Sequence, residues 1–274
     1  MWYPGHIKKA KSKIKTYLKT VQGILELVDA RAPYASRAYE FEDLFKDKDR
    51  IILFNKVDIA DEKNLIFWEN YYKSKGYKVL KTSLKNVSIK SFLTKVVYKS
   101  FQKKFSELRV MVAGIPNVGK STLINSIKGK KSLRVGNTPG VTRGVQWISV
   151  NDQFMLLDTP GILYSEIYNK KIMYKLILIG SLKPEEDEKE FAIEYGFNFF
   201  KEKYPEIIRN ALKSDVIPDD YYNFIELFAK KRNFIASGKT YDTERAMTVF
   251  LKELSDGKYG KIVYDFPEDY DMLK

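Results

Sequence analysis

The sequence predicts an α/β domain, with a mainly parallel sheet and helices on both faces, followed by a small all-α domain. Three observations predict it. Short apolar runs alternate with helix-period windows as far as about residue 165. A glycine-rich turn, Gly114-Ile-Pro-Asn-Val-Gly-Lys-Ser121, lies between a strand-like run and a helix-like one. Beyond about Lys170 the strand pattern gives way to helical periodicity. The expected division is therefore residues 1–179 and 180–274.

In order, "GILELVDA", "RIILFNKVD", "YKVLKTS" and "LRVMVAG" read as buried strands, each followed by a turn and an amphipathic stretch. "VQWISV" and "FMLLDT" flank "NDQ", which predicts an antiparallel hairpin at one sheet edge. The helical segments are "KIMYKLILIGSL", "EDEKEFAIEYGFNFFKEKY", "PDDYYNFIELFAKKRNF" and "DTERAMTVFLKEL", broken by Pro184, Pro205, Pro218 and Gly238. There is no internal repeat or low-complexity linker.

With 274 residues, 44% of them hydrophobic, the chain can bury a full core. No window reaches the roughly 18 unbroken apolar residues of a membrane span, and "MWYPGHIKKAKSKIK" lacks the apolar core of a secretory signal. A soluble, cytoplasmic protein is expected. No cysteine is present, so disulfides, thiolate zinc sites, iron–sulfur clusters and cysteine nucleophiles are excluded. The formal charge of +13 suits a polyanionic partner. Its distribution is uneven. Residues 1–20 hold six lysines and no acid, and residues 81–105 hold Lys81, Lys85, Lys90, Lys95, Lys99, Lys103 and Lys104 and no acid. Lys128, Lys130, Lys131, Arg134 and Arg143 form a third such block.

Gly114–Ser121 fits the phosphate-loop pattern G-x-x-x-x-G-K-[ST] in the strand-to-helix context the pattern requires. Glycines let backbone N–H groups close around phosphates, the helix start favours negative charge, Lys120 neutralises β/γ oxygens, and Ser121 ligates Mg²⁺. The expected phosphate-binding residues are Asn117, Val118, Gly119, Lys120, Ser121 and Thr122. Downstream, Asp158-Thr-Pro-Gly161 ends an apolar strand, where an acid holds Mg²⁺ through water and the Gly161 N–H senses a γ-phosphate. In the intervening "GNTPGVTRG", Thr142 is the first choice of hydroxyl to complete the Mg²⁺ shell, with Thr138 its competitor. Asn55-Lys56-Val57-Asp58 reads guanine: one carboxylate, Asp58, accepts both N1–H and the exocyclic amine, a donor pair that adenine lacks. Asn55 either bonds the opposite base edge or braces the phosphate loop, the Lys56 stem covers the purine face, and Ser83 with nearby N–H groups serves the guanine carbonyl. The nucleotide is thus GTP or GDP.

The guanine elements precede the phosphate loop, a rotation of the usual GTPase order, with the Lys-rich segment 84–105 as the join. Here the chain resembles the ribosome biogenesis GTPase A (YlqF/RbgA) family of circularly permuted GTPases. The likeness rests on "WYPGHIKKAK", "DARAPYASR", "NKVD", "GIPNVGKST", "TPGVTRGVQW", "DTPGIL" and the helical tail. It implies a GTP-hydrolysing factor for late assembly of the large ribosomal subunit, meeting rRNA and ribosomal proteins, stimulated by the subunit, with a helical domain that touches RNA. A monomer is the default. The resemblance also implies K⁺ beside Asn117. Ile162 stands where Ras-type enzymes place a water-orienting glutamine, so hydrolysis is expected to be slow in isolation. His6 has two readings. It orients or deprotonates the attacking water when the ribosome orders the arm, as the resemblance favours, or it packs on RNA or the domain surface. Arg31 in "DARAP" leans structural. Against the enzyme stands a second class, an RNA-binding placeholder in which turnover is incidental.

Overall fold

The structure, a computed structural model, describes residues 12, 14–101, 106–128, 146–159, 167, 169–238 and 240–269. It divides into two compact units. The first comprises Met1–Asp58, Glu62–Glu166 and Asp265–Lys274, the second Ile59–Asp61 and Ile167–Tyr264.

The first unit is built on a six-stranded sheet of β1 (Gly23–Asp29), β2 (Asp49–Asn55), β3 (Lys78–Lys81), β4 (Leu108–Ala113), β5 (Gln146–Asn151) and β6 (Phe154–Asp158). Its spatial order is β3-β2-β1-β4-β6-β5. Every neighbouring pair is parallel except β5–β6, the expected hairpin at the edge. All seven residues of β1 and six of the seven in β2 are buried, as strands covered on both faces must be. At the edge, β5 alternates, with Ile148 and Val150 buried and Ser149 and Asn151 exposed. Because β1, β2, β3, β4 and β6 run the same way, Asp29, Asn55, Lys81, Ala113 and Asp158 end at one side of the sheet. That side is where open α/β sheets bind ligands.

Helix α1 (Glu62–Ser74) precedes β3, and α2 (Lys120–Ile127) follows the glycine-rich turn. The helix at 14–18 packs Ile14, Tyr17 and Leu18 against Ile24, Phe41, Phe45, Met111 and Leu157. The Lys-rich segment read as the join, and as the amphipathic stretch after the third strand, is helical from Ile89 to Ser100, with a π turn at Leu93–Val97. Ile89, Leu93 and Val97 are buried on it while Lys90, Lys95 and Lys99 are exposed.

One acid interrupts the apolar run of β1. Glu26 is fully buried and accepts from Arg37 Nε (3.2 Å), Arg37 NH2 (2.9 Å) and Ala38 N (2.9 Å), with Arg50 NH1 3.5 Å away. The loop after β1 is pinned from the far end of the chain. Asp265 Oδ2 accepts the N–H groups of Tyr34 (2.7 Å) and Ala35 (2.9 Å), and Trp68 Nε1 donates to the Asp265 carbonyl (3.0 Å).

The second unit holds α3 (Lys170–Leu178), α4 (Glu186–Lys203), α5 (Pro205–Leu212), α6 (Tyr221–Lys231) and α7 (Thr243–Ser255). Side chains that accept the unpaired N–H groups of the first turn start four of them: Asn169 for α3, the Glu185/Glu188 capping box for α4, Asp220 for α6 and Asp242 for α7. Pro205 is expected as a breaker but opens α5 at its first position, where the missing N–H would have had no partner anyway. Phe224 and Phe250 meet edge to face at 4.9 Å in the aromatic core of this unit. The units do not divide near residue 180. Helix α3 packs on α4 and joins the helical unit, and residues from Asp265 onward return to the first. Among the described residues no helix is long and apolar enough to cross a membrane.

Candidate functional site

Between the end of β4 and the start of α2, the backbone at Gly114–Gly119 makes the turn the pattern predicts. Gly114 has φ 145°, and a Cβ there would lie 2.6 Å from the Leu27 carbonyl oxygen. Gly119 has φ 113°, and a Cβ would lie 2.2 Å from Asn55 Nδ2. Neither position accepts a side chain. Asn117 is exposed at φ 61°, a conformation asparagine tolerates better than most residues. Lys120 is buried and donates to the Ile115 carbonyl at 2.6 Å. Burial pushes its ammonium down to about 8, against the opposing pull of Asp158. Ser121 and Thr122 are exposed in the first turn of α2, where N–H groups lack intrahelical partners and the helix dipole favours anions.

Asp158 ends β6 opposite Val112, and the buried Thr159 hydroxyl holds that register by donating to the Val112 carbonyl at 2.6 Å. Burial raises the Asp158 carboxyl, against Lys128 and Lys120. Among the described residues no group of three or more His, Cys, Asp and Glu could cage a metal alone. One exposed hydroxyl and one carboxylate instead suit Mg²⁺, which keeps most of its waters and takes its remaining oxygens from phosphates.

Asn55, at the end of β2, is buried; its Nδ2 donates to the Val118 carbonyl at 2.8 Å and its Oδ1 accepts from Leu84 N at 3.0 Å. Of the two expectations for Asn55, this is the bracing one: a single amide links the phosphate loop to the segment after β3. Thr82 N donates to the Phe54 carbonyl (2.8 Å) and Val57 N to the Thr82 carbonyl (3.3 Å), which sets the buried Ser83 beside the same turn. Asp58 is exposed. Lys56 is half-buried at φ 65°, and its Nζ lies 2.7 Å from Asp29 Oδ2. The carboxyl edge thus carries Asn55, Lys56, Ser83, Val118, Gly119, Lys120 and Asp158 together. His6, Thr138, Thr142, Gly161 and Ile162 lie outside the described residues.

A family model for "50S ribosome-binding GTPase" matches residues 109–199, which span the phosphate loop and Asp158. Over nearly its whole length the chain also aligns with a full-length relative. It is 41% identical to the ribosome biogenesis GTPase A of Thermotoga maritima, with 98% of this chain and 95% of that protein covered. The chain belongs to the ribosome biogenesis GTPase A family. The Bacillus cereus member is 32% identical, with 98% and 94% covered. The GDP-bound structure of TM YlqF superposes with a TM-score of 0.72 at 36% identity, covering 94% of this chain and 100% of that one. GNP-bound YlqF from T. maritima gives 0.70 at 35%, covering 95% and 99%.

In this ribosome biogenesis GTPase A family member, the site includes a residue that sequence reasoning passed over. Asp29 is fully buried and bridges Lys56 and Arg31, whose Nε and NH2 reach its two oxygens at 3.0 and 2.9 Å. Burial works to raise the Asp29 carboxyl, but Arg31 and Lys56 outweigh it and hold the group well below the ordinary aspartate range. Arg31, fully buried in this pair, fits the structural role expected of it. Its only trace in the sequence is that Asp-Ala-Arg closes an apolar run as Asn-Lys-Val-Asp does, which gains meaning only from the register of β1 on β2.

Proposed function

We propose that this chain binds GTP, hydrolyses it, and works as a monomeric cytoplasmic factor in late assembly of the large ribosomal subunit, leaving when the nucleotide is spent. The observation that carries the reading is the Asn55–Val118 hydrogen bond, by which the Asn-Lys-x-Asp motif and the phosphate loop share one backbone frame. The relatives' name and the GDP and GNP in the two solved neighbours support it.

On this reading, N–H groups from Asn117 to Thr122 wrap the phosphates and Lys120 offsets their charge. Ser121, Thr142 and, through water, Asp158 would hold Mg²⁺, which would supply charge neutralisation for the β- and γ-phosphates. Asp58 accepts the two guanine donors. Being exposed, it is desolvated by the base itself, so a base lacking those donors strands it. Lys56 covers the purine, Ser83 serves the guanine carbonyl, Gly161 senses the γ-phosphate, and Asn117 takes K⁺. Ile162 cannot orient water, so turnover is slow until the subunit orders His6 against it. The motif order makes this a circular permutation. β1–β3 precede β4 in the chain, β1 pairs directly with β4, and the chain after Asp158 runs into the helical unit, which carries the nucleotide state to RNA.

A second reading, a nucleotide-stabilised RNA-binding placeholder with incidental turnover, draws on Ile162 alone. The test is GTP turnover in K⁺ buffer, with and without purified large subunits, for wild type and His6→Ala. Acceleration of the wild type by tenfold or more, about 1.4 kcal/mol off the barrier, with His6→Ala bound but slow, is the expected result. Subunits that bind without accelerating would put the placeholder ahead.

A further inference from the structure

We propose that Asp29 is a positioning residue for guanine recognition: from the end of β1 its carboxylate holds Lys56 and thereby sets the backbone turn that presents Asp58 to the base. The proposal rests on the guanine reading of Asn55–Asp58 and adds a residue outside that motif.

β1 and β2 stay in register as far as Asp29 opposite Asn55, so Lys56 is the first residue past the paired strands. There the backbone turns to φ 65°, which a lysine adopts only where its surroundings offset the strain. Besides the Val57 N–Thr82 carbonyl bond on its far side, two contacts hold the turn. Ala30 N donates to the Asn55 carbonyl at 2.8 Å, and Lys56 Nζ reaches Asp29 Oδ2 at 2.7 Å. Asp29 cannot follow a loose lysine. Its Oδ1 accepts from Arg31 N and Arg31 Nε, both at 3.0 Å, its Oδ2 accepts from Arg31 NH2 at 2.9 Å, and its own N–H donates to Ser36 Oγ at 3.0 Å. Arg31 already balances the buried carboxylate. Three of the carboxylate's four contacts come from Arg31, so Asp29 stays held without the lysine, and the Lys56 contact fixes the lysine more than the aspartate. Asp58 follows two residues later in the short 3₁₀ turn Val57–Ile59, so its position follows from the Lys56 backbone.

The test measures affinity for methylanthraniloyl-labelled GDP and ADP. Asp29→Asn/Arg31→Met replaces the buried pair with neutral groups of similar size, which interiors tolerate. It is expected to lose about tenfold in GDP affinity, about 1.4 kcal/mol, with ADP affinity unchanged. Lys56→Met, which leaves the Asp29–Arg31 pair intact, should lose a similar factor, and the combined variant no more than either, since all remove one link. A folded pair variant that keeps the wild-type GDP:ADP ratio overturns the proposal. Equal losses for GDP and ADP, the mark of a merely structural role, do so as well, as does a combined variant in which the losses multiply. If the pair variant does not fold, an unchanged ratio in Lys56→Met overturns it equally. A wild type with no preference for GDP overturns the guanine reading beneath it, and that outcome is distinct from the others.

Discussion

The tightest meeting point in the site is between two residues 64 positions apart, Asn55 and Gly119. The amide of Asn55 fills the space that a side chain at 119 would need, with 2.2 Å separating Nδ2 from a Cβ built there. Asn55→Ala strands the Val118 carbonyl and the Leu84 N–H, and should lower stability by about 1–3 kcal/mol. Gly119→Ala places a Cβ at left-handed φ and drives it into that amide, with a larger cost. The two should not add. Truncating Asn55 removes the obstacle that Gly119→Ala meets, so the double variant is expected to be more stable than the sum of the singles, measured by urea unfolding. Strict additivity would mean that the two side chains do not share the space described.

Within the elements, β1 carries a charge where its neighbours carry only apolar groups. Burial would raise the Glu26 carboxyl, but Arg37 and Arg50 overcome that and hold it below the ordinary glutamate value. A carboxyl lowered in the folded state contributes stability that is complete above its unfolded pKa, near 4.5, and is lost as pH falls through the lower folded value. The melting temperature should therefore fall between pH 6 and pH 3.5. Glu26→Gln should melt lower at pH 6 and change less over the same interval; an equal slope in both proteins would remove Glu26 from the acid response. β1, β2 and β4 were legible because burial on both faces leaves near-continuous apolar runs, whereas β3, also expected to be buried, is an edge strand with no fully buried residue. The helix at Ile89–Ser100 was legible only as an amphipathic stretch serving as a join, because its lysines read as a solvated link and its π turn, which shifts the period, left no mark. Asn55's bracing role was legible as one of two options. Asp29 was not, since a single acid at a strand end has no distinguishing spacing until the register of β1 on β2 is known.

For the molecule as a whole, charge divides more sharply than composition suggests. The helical unit holds 17 Lys and Arg against 17 Asp and Glu, so the entire excess of +13 belongs to the first unit. If the partner is ribosomal RNA, salt sensitivity should therefore reside mainly in the first unit. Lys90→Gln/Lys95→Gln/Lys99→Gln is expected to weaken cosedimentation with large subunits. It should also flatten the log affinity against log salt plot by up to about 0.9 for each phosphate that these lysines no longer neutralise. Lys230→Gln/Lys231→Gln should leave the slope alone, and the reverse ranking would move the RNA face to the helical unit. The return of the chain at Asp265 also bears on how the protein is made. Domains ordinarily fold in turn as they leave the ribosome, the first before the last. Here the loop that follows Asp29 and carries Arg31 receives its Asp265 cap only after all of the helical unit has been synthesised. The first unit is thus begun first and completed last, so a nascent chain stalled before Asp265 would hold every candidate site residue named above and still lack the hydrogen bonds to Tyr34, Ala35 and Trp68 that pin the loop after β1.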